Sequence, residues 1–234
     1  MDLITFSTIE NNQLKQLLDG IQLFIILLFS LSFHEAAHAF MAYKCGDDTA
    51  RLMGRMTLNP VPHIDPIGTL LMPAIMIISS MTGAGIRFLI GWAKPVPVNP
   101  LNFRNYKKGE FLVSFAGPFS NLILVAGGAL VCRALLMAYG FEVIYSASNI
   151  FFNFFLMFTS LNLILFTFNL IPIHPLDGSH ILKLFLSNKA SEAYDRVIAP
   201  YGFFIIIGLV YLGVFRFIYE WISIPVEWLI SAGL

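Results

Sequence analysis

Five stretches of the chain are apolar over nearly their whole length: 21–43, 66–82, 111–138, 148–171 and 199–222. Each is close to the roughly 20 residues a helix needs to cross a bilayer. The pattern predicts membrane helices at these places. The stretch 66–82 is the shortest and carries Pro73. Residues 1–20 are poorer in apolar side chains and read as an N-terminal surface segment, while 21–222 read as one intramembrane core. Trp221 and Trp228 suit a membrane interface, so 223–234 are expected to form an interfacial tail. No internal repeat is evident, and a transporter built of inverted repeats has no support.

Two segments interrupt this pattern with proline. Residues 54–66 (GRMTLNPVPHIDP) and 92–100 (WAKPVPVNP) cannot be helical, and proline at alternate positions favours extended backbone. Extended backbone cannot face lipid with its polar groups unpaired. It must be buried in protein, line a wet cavity or lie outside the membrane.

Composition agrees with a polytopic all-α membrane protein. The 234 residues are 57% hydrophobic and only 12% charged, against about 25% charged in average soluble domains. Net charge is zero, which leaves no basic surface for nucleic acid. Cys45 and Cys132 make neither a disulfide framework nor a zinc-finger spacing. Lys15 before the first apolar run resembles the start of a signal peptide. Asp2, Glu10 and Asp19 spoil that reading, and cleavage would remove the motif described next, so the run is expected to be retained.

That motif is His34-Glu35-Ala36-Ala37-His38, inside the first apolar run. An ionisable side chain at membrane depth costs roughly 2.5–3.5 kcal/mol by insertion scales, and three within five residues point to function rather than packing. Positions i and i+4 lie on one helix face, so His34 and His38 can share a metal ion. Glu35 beside them can serve as general base toward a metal-bound water. A catalytic zinc usually has three protein ligands with water in the fourth position. Asp177, in Asn169-Leu170-Ile171-Pro172-Ile173-His174-Pro175-Leu176-Asp177-Gly178, follows an apolar run broken by prolines and is the best candidate for the third. Its competing reading is a plain turn aspartate before glycine.

Taken together, His34-Glu35-x-x-His38, Gly117-Pro118-x-x-Asn121, Asn169-x-x-Pro172 and Leu176-Asp177-Gly178 resemble the site-2 protease family of intramembrane zinc metalloproteases. Gly54-Arg55, Leu58-Asn59-Pro60 and 92–97 are similar to its compact bacterial and archaeal branch. The likeness covers about residues 21 to 185. It implies His34, His38 and Asp177 as zinc ligands, Glu35 as general base, and Asn169 as a residue that holds the substrate backbone, with Asn121 as a further candidate for substrate binding. His174 stands where similar proteins often carry proline, and His63 and His180 add two imidazoles with no helical ligand spacing. The short N-terminus suggests that a leading span found in many relatives is absent.

A shared metal ion requires its ligands at one depth, with Zn–N and Zn–O distances near 2 Å. His34, His38 and Asp177 all lie toward the C-terminal ends of their apolar runs, so those two helices should be parallel. The ligands meet if 66–82 is re-entrant, reversing near Gly83 and Gly85 and returning extended along 86–98. About four full transmembrane helices, a re-entrant helix and short extended segments around one zinc ion are then expected. In that topology 44–110 and 172–198 share one side and carry eleven of the 14 lysines and arginines. The positive-inside rule makes that side cytoplasmic, with the zinc toward it in a bacterial or archaeal cell membrane and the N-terminus outside. The expected substrate is a single-span membrane protein, and a separate membrane protein could regulate the cut. A membrane metal transporter or sensor is the alternative; it has no need of a glutamate directly after the first histidine.

Overall fold

The computed structural model describes residues 3–81, 91–146 and 149–232, and all regular structure among them is helical. In chain order the helices are α1 (Leu3–Cys45), α2 (Thr49–Leu52), α3 (Met72–Met81), α4 (Tyr106–Ser146), α5 (Ile150–Asn169), α6 (Asp177–Lys183), α7 (Asn188–Val197), α8 (Gly202–Tyr211) and α9 (Val214–Ser231). Among the described residues, four stretches are long and apolar enough to cross a membrane: Gln13–Cys45, Tyr106–Gly140, Ile150–Asn169 and Asn188–Tyr211. The last passes through α7 and α8 with one tight turn, Ala199–Tyr201, between them. Residues 3–20 are helical and run into the first span as part of α1.

The last apolar run, 199–222, is not one helix. Gly213 takes φ 73°, a left-handed conformation that glycine adopts without steric cost, and separates α8 from α9. Hydropathy alone cannot see this break, because glycine is apolar and common in spans. As far as Ser231, the tail is the second half of α9. Its Val226, Leu229 and Ile230 pack on Ala129, Cys132 and Leu136 of α4 and Phe152 of α5. Arg133, a cation within the α4 span, donates to the Leu229 carbonyl at 3.0 Å. That carbonyl lies in the last turn of α9, where helix carbonyls have no partner of their own and favour a cation.

The centre of the fold is a three-helix layer of α1, α4 and α5. Ile26, Leu27 and Leu31 of α1 pack with Leu161, Met157, Phe158 and Phe154 of α5. Their register fixes direction. On α4, Val113 meets His38 and Asn121 meets His34, so α4 runs antiparallel to α1. Asn121 meets Asn162, and Gly128 lies against Thr159, so α4 is also antiparallel to α5. It follows that α1 and α5 are parallel.

Antiparallel α1 and α4 return the chain to the end it left. The Arg104 amide donates to the Cys45 carbonyl at 2.9 Å and pins the two helix ends together. Asp47 tightens this closure. Its carboxylate is buried and accepts from the Asn99 amide (2.7 Å), Asn102 Nδ2 (2.8 Å) and Thr49 Oγ1 (2.6 Å). Burial pushes its pKa up, but the bonds from Thr49, Asn99 and Asn102 outweigh that and hold it below the ordinary carboxylate value.

Between the pinned ends lie both proline-rich segments. Asp65 caps a wide turn, Pro66–Leu71, by accepting from the amides of Ile67 (3.0 Å) and Gly68 (2.7 Å). α3 then runs alongside α1 until Ile77 lies against Gly20. By residue 91 the chain is back beside its departure point. Trp92 N donates to Gly68 O (3.3 Å), Lys94 N donates to His63 O (2.9 Å), and Thr69 Oγ1 donates to Trp92 O (2.8 Å). Buried Arg55 donates through Nη2 to the carbonyls of Lys94 (2.8 Å) and Pro95 (3.2 Å). The extended backbone therefore finds partners inside the protein. Gly83 and Gly85, where the reversal is expected, and the first part of the return path, 86–90, lie outside the described residues.

Candidate metal centre

His34 and His38 stand on successive turns of α1, and both are buried. Their Nε2 atoms are 3.0 Å apart. Asp177, the first residue of α6, completes the cluster: its Oδ2 is 3.2 Å from His34 Nε2 and its Oδ1 is 3.4 Å from His38 Nε2. One ligand atom from each of the three lies within 4.8 Å of the others. Asp177 is delivered by a loop that Tyr194 of α7 staples. The Tyr194 hydroxyl accepts from the His174 amide (3.0 Å) and donates to the Pro172 carbonyl (3.0 Å).

The imidazoles are oriented from behind. His38 Nδ1 lies 2.7 Å from the Val113 carbonyl. A carbonyl only accepts, so Nδ1 carries the hydrogen and Nε2 turns its lone pair into the cluster. His34 Nδ1 lies 2.7 Å from Oδ1 of Asn121, which is fully buried. Asn121, on the resemblance a candidate for substrate contact, therefore sits behind a histidine.

Gly117 explains how the cluster has room for an ion. A Cβ there would stand 2.3 Å from His38 Nε2 and 2.5 Å from His34 Nε2, so any other residue would fill the space between them. The donor set suits zinc, which takes imidazole nitrogen and carboxylate oxygen. Asp177 Oδ2 is buried without a hydrogen-bond partner, as a ligand atom awaiting a cation would be.

Glu35 lies outside this trio. It is buried, and its Oε2 accepts from the Val96 amide at 2.8 Å. Pro95 and Pro97 flank Val96 and have no amide hydrogen, so Val96 N–H is the one main-chain donor in 95–97. The extended segment thereby touches the carboxylate next to the first histidine.

Asn169 ends α5, half-buried, with its Nδ2 donating back to the Leu165 carbonyl at 3.0 Å. The three remaining histidines stay out of the cluster. His63 is buried and bonds the Thr57 carbonyl (2.9 Å), His174 sits in the loop before Asp177, and His180 pairs with Glu110 at 3.0 Å. Sequence reasoning did not single out the Val96 amide, the steric role of Gly117, or Arg55 as a clamp. A backbone donor leaves no mark in a sequence. A glycine chosen for close approach looks like any glycine in a span.

The sequence profile of Peptidase family M50, the site-2 protease family, matches residues 22–209. Among curated proteins, "Putative zinc metalloprotease YwhC" of Bacillus subtilis (strain 168) is 46% identical over 161 residues, covering 69% of this chain and 67% of that one. Rip2 of Mycolicibacterium smegmatis, which carries the same zinc metalloprotease description, is 32% identical over 187 residues, covering 78% of this chain and 63% of that one. Rip2 of Mycobacterium tuberculosis (strain H37Rv) is 30% identical over 204 residues, covering 86% and 70%. The matched stretch thus spans about two thirds of these relatives' length. No solved structure matches the chain significantly. With four apolar helices of spanning length and a profile match over most of its residues, the chain belongs to Peptidase family M50.

Proposed function

We propose that this protein is an intramembrane zinc metalloendopeptidase that hydrolyses peptide bonds in or near the transmembrane segment of membrane proteins. The observation that carries the reading is the meeting of two imidazole Nε2 atoms and one carboxylate within 4.8 Å, with Glu35 beside them and Gly117 leaving the space open. His34, His38 and Asp177 hold one zinc ion per chain. When bound, the ion supplies a water of pKa about 7 and an electrophile for the scissile carbonyl.

The chain's own groups do the rest. His34 and His38 keep their lone pairs aimed at one point because their Nδ1 atoms are engaged from α4. Glu35 takes the proton of the attacking water and hands it to the leaving nitrogen. Val96 N–H fixes the carboxylate for that task and ties it to the extended segment. A substrate helix has its peptide groups locked in i to i−4 bonds and must unwind before attack. The segment 91–99 can receive the unwound stretch as an added strand, and Asn169, at the end of α5, is the residue proposed to hold its backbone. A single-span membrane protein, or the remnant left by an earlier cut, fits these demands. A separate membrane protein is a candidate regulator.

α3 is re-entrant in this reading. The return of residue 92 to Gly68, together with the pinning of Arg104 to Cys45, supports it. The charge asymmetry supports a cytoplasmic face for the loops and for the zinc, with the N-terminus outside, in a bacterial or archaeal cell membrane. Single cysteines at Leu52 and Leu101, which are 75% and 89% exposed, in a background lacking Cys45 and Cys132, should label only from the cytoplasm. Labelling from outside would reverse the orientation.

Glu35→Gln tests the chemistry. The variant should keep stoichiometric zinc and lose cleavage of a model single-span substrate. Zinc-dependent transport surviving in Glu35→Gln would favour a metal carrier, and surviving proteolysis would remove Glu35 as the base. His34→Ala, His38→Ala and Asp177→Ala should each lose zinc; unchanged zinc in Asp177→Ala would strike Asp177 from the ligand set.

A further inference from the structure

An amide side chain such as Asn121 can face a histidine with either end. Turned one way it accepts and selects Nδ1–H. Turned the other way it donates and selects Nε2–H, a tautomer with no lone pair for a metal. What fixes it lies one helix further back. Asn121 Nδ2 donates to Asn162 Oδ1 at 2.9 Å, and Asn162 Nδ2 donates to the Phe158 carbonyl at 2.9 Å. Both asparagines are fully buried.

The direction of this chain follows by elimination. The Phe158 carbonyl can only accept, so the end of Asn162 that faces it is the NH2. The other end of Asn162 is therefore its oxygen, which only accepts. The end of Asn121 that meets it must be an NH2, and the end left for His34 is an oxygen. His34 Nδ1 then carries the hydrogen, and Nε2 is free to ligate. One main-chain carbonyl on α5 thus decides the tautomer of a histidine on α1, through α4.

We propose that Asn162 is a positioning residue for the metal centre: it locks the Asn121 amide and thereby holds His34 in the ligating tautomer. This rests on the zinc reading above. Asn162 also accounts for a polar side chain in the middle of an apolar span, where an unpaired amide would be costly. His38 needs no such relay because its partner is already a carbonyl.

The test is zinc affinity of the purified full chain, measured by chelator competition, in a double-mutant cycle. Asn162→Leu removes the lock and should weaken zinc binding about ten-fold or more, the range seen when a partner behind a ligating histidine is lost. Asn162→Thr covers the case in which leucine disturbs folding. Its hydroxyl can still bond the i−4 carbonyl but does not reach Asn121, so the same weakening is expected. Asn121→Asp is the decisive background. A carboxylate offers His34 an acceptor whichever way it turns, so Asn162→Leu or Asn162→Thr added to Asn121→Asp should bring less than a two-fold further loss. A purely structural role for Asn162 would give equal losses in both backgrounds and would overturn the proposal, as would wild-type affinity in both single variants. His38→Ala, run in parallel, separates the two ideas. If it leaves zinc affinity unchanged, the metal centre itself is misread; if it abolishes binding while the Asn162 variants bind normally, only the relay is wrong.

Discussion

The two halves of the candidate site are held by different means. The histidine side of the metal cradle is built on α1 and α4, with regular helices setting each position: one turn between His34 and His38, one carbonyl behind His38, one glycine between the imidazoles; Asp177 joins it from the start of α6. The extended segment 91–99 has no helix or sheet to hold it. It is clipped in place by isolated bonds with Gly68, His63, Arg55 and Asp47, residues spread over the segment before α3. Helical ladders are cooperative, so α1 and α4 keep their backbone geometry when one contact is lost. Isolated clips are not cooperative, so the segment yields contact by contact. Metal retention should therefore follow the first half and substrate handling the second, with Glu35 and Val96 as the seam.

Breaking the cradle should have the largest effect. Gly117→Ala puts a methyl between the two Nε2 atoms, so zinc content by elemental analysis should fall to near zero, and cleavage with it. The fold should survive, since alanine favours helix over glycine by about 1 kcal/mol. Normal zinc content in Gly117→Ala would show that the ion sits elsewhere.

Cutting the seam comes next. Val96→Pro deletes the amide hydrogen that Glu35 accepts while keeping extended backbone. A hydrogen bond to a charged group contributes about 1.5–3 kcal/mol, so turnover should drop roughly ten- to hundred-fold with zinc unchanged. Loss of zinc along with turnover would mean that cradle and segment are one unit.

Loosening the clips should cost less. Arg55→Met leaves the Lys94 and Pro95 carbonyls without their donor, and cleavage should fall about ten-fold at constant zinc. Replacing Pro95 and Pro97 by glycine should act similarly, because ordering freed backbone costs roughly 1 kcal/mol or more per residue. In both variants a substrate already unwound by glycine or proline near the cut should be spared. Equal loss on helical and unwound substrates would assign the segment to folding alone.

The smallest effect is that of pH on Asp47. Its folded pKa lies below the ordinary 3.8, so the stability it lends the pinned loop is fully present above that value and is lost as pH falls through the folded pKa. Protease sensitivity of 46–103 should rise below about pH 4 in the wild type. Asp47→Asn should show raised sensitivity already at pH 7 and a flatter acid response. An identical acid profile in both would free Asp47 of that role.

Much of this architecture was legible in the amino-acid order, for definable reasons. The spans around 21–43, 111–138 and 148–171 announce themselves by length and apolarity, and His34, Glu35 and His38 by their cost at membrane depth. Asp177 stood out because a helix had just been broken by Pro172 and Pro175. The break at Gly213 was not legible, since a left-handed glycine in an apolar run has no distinguishing neighbour. Nor was the pairing of Asn121 with Asn162, whose only trace is a lone amide among phenylalanines and leucines. Contacts across 41 positions of sequence, and donors that belong to the backbone, become visible only in three dimensions.

The hydrogen bond between Arg104 and Cys45 has a consequence for how such a protein can change over generations. It turns 46–103 into a closed loop whose two ends are fixed on α1, which carries the histidines, and just before α4, which backs them. For a loop with fixed ends, doubling the length costs only about 0.6 kcal/mol in closure entropy. Insertions at exposed turns of that loop, such as the one at Leu52 and Met53, can therefore accumulate at little thermodynamic cost, while α1 and α4 keep their register. On the proposed function, preference for one membrane substrate or another can drift in the loop as the metal centre stays constant.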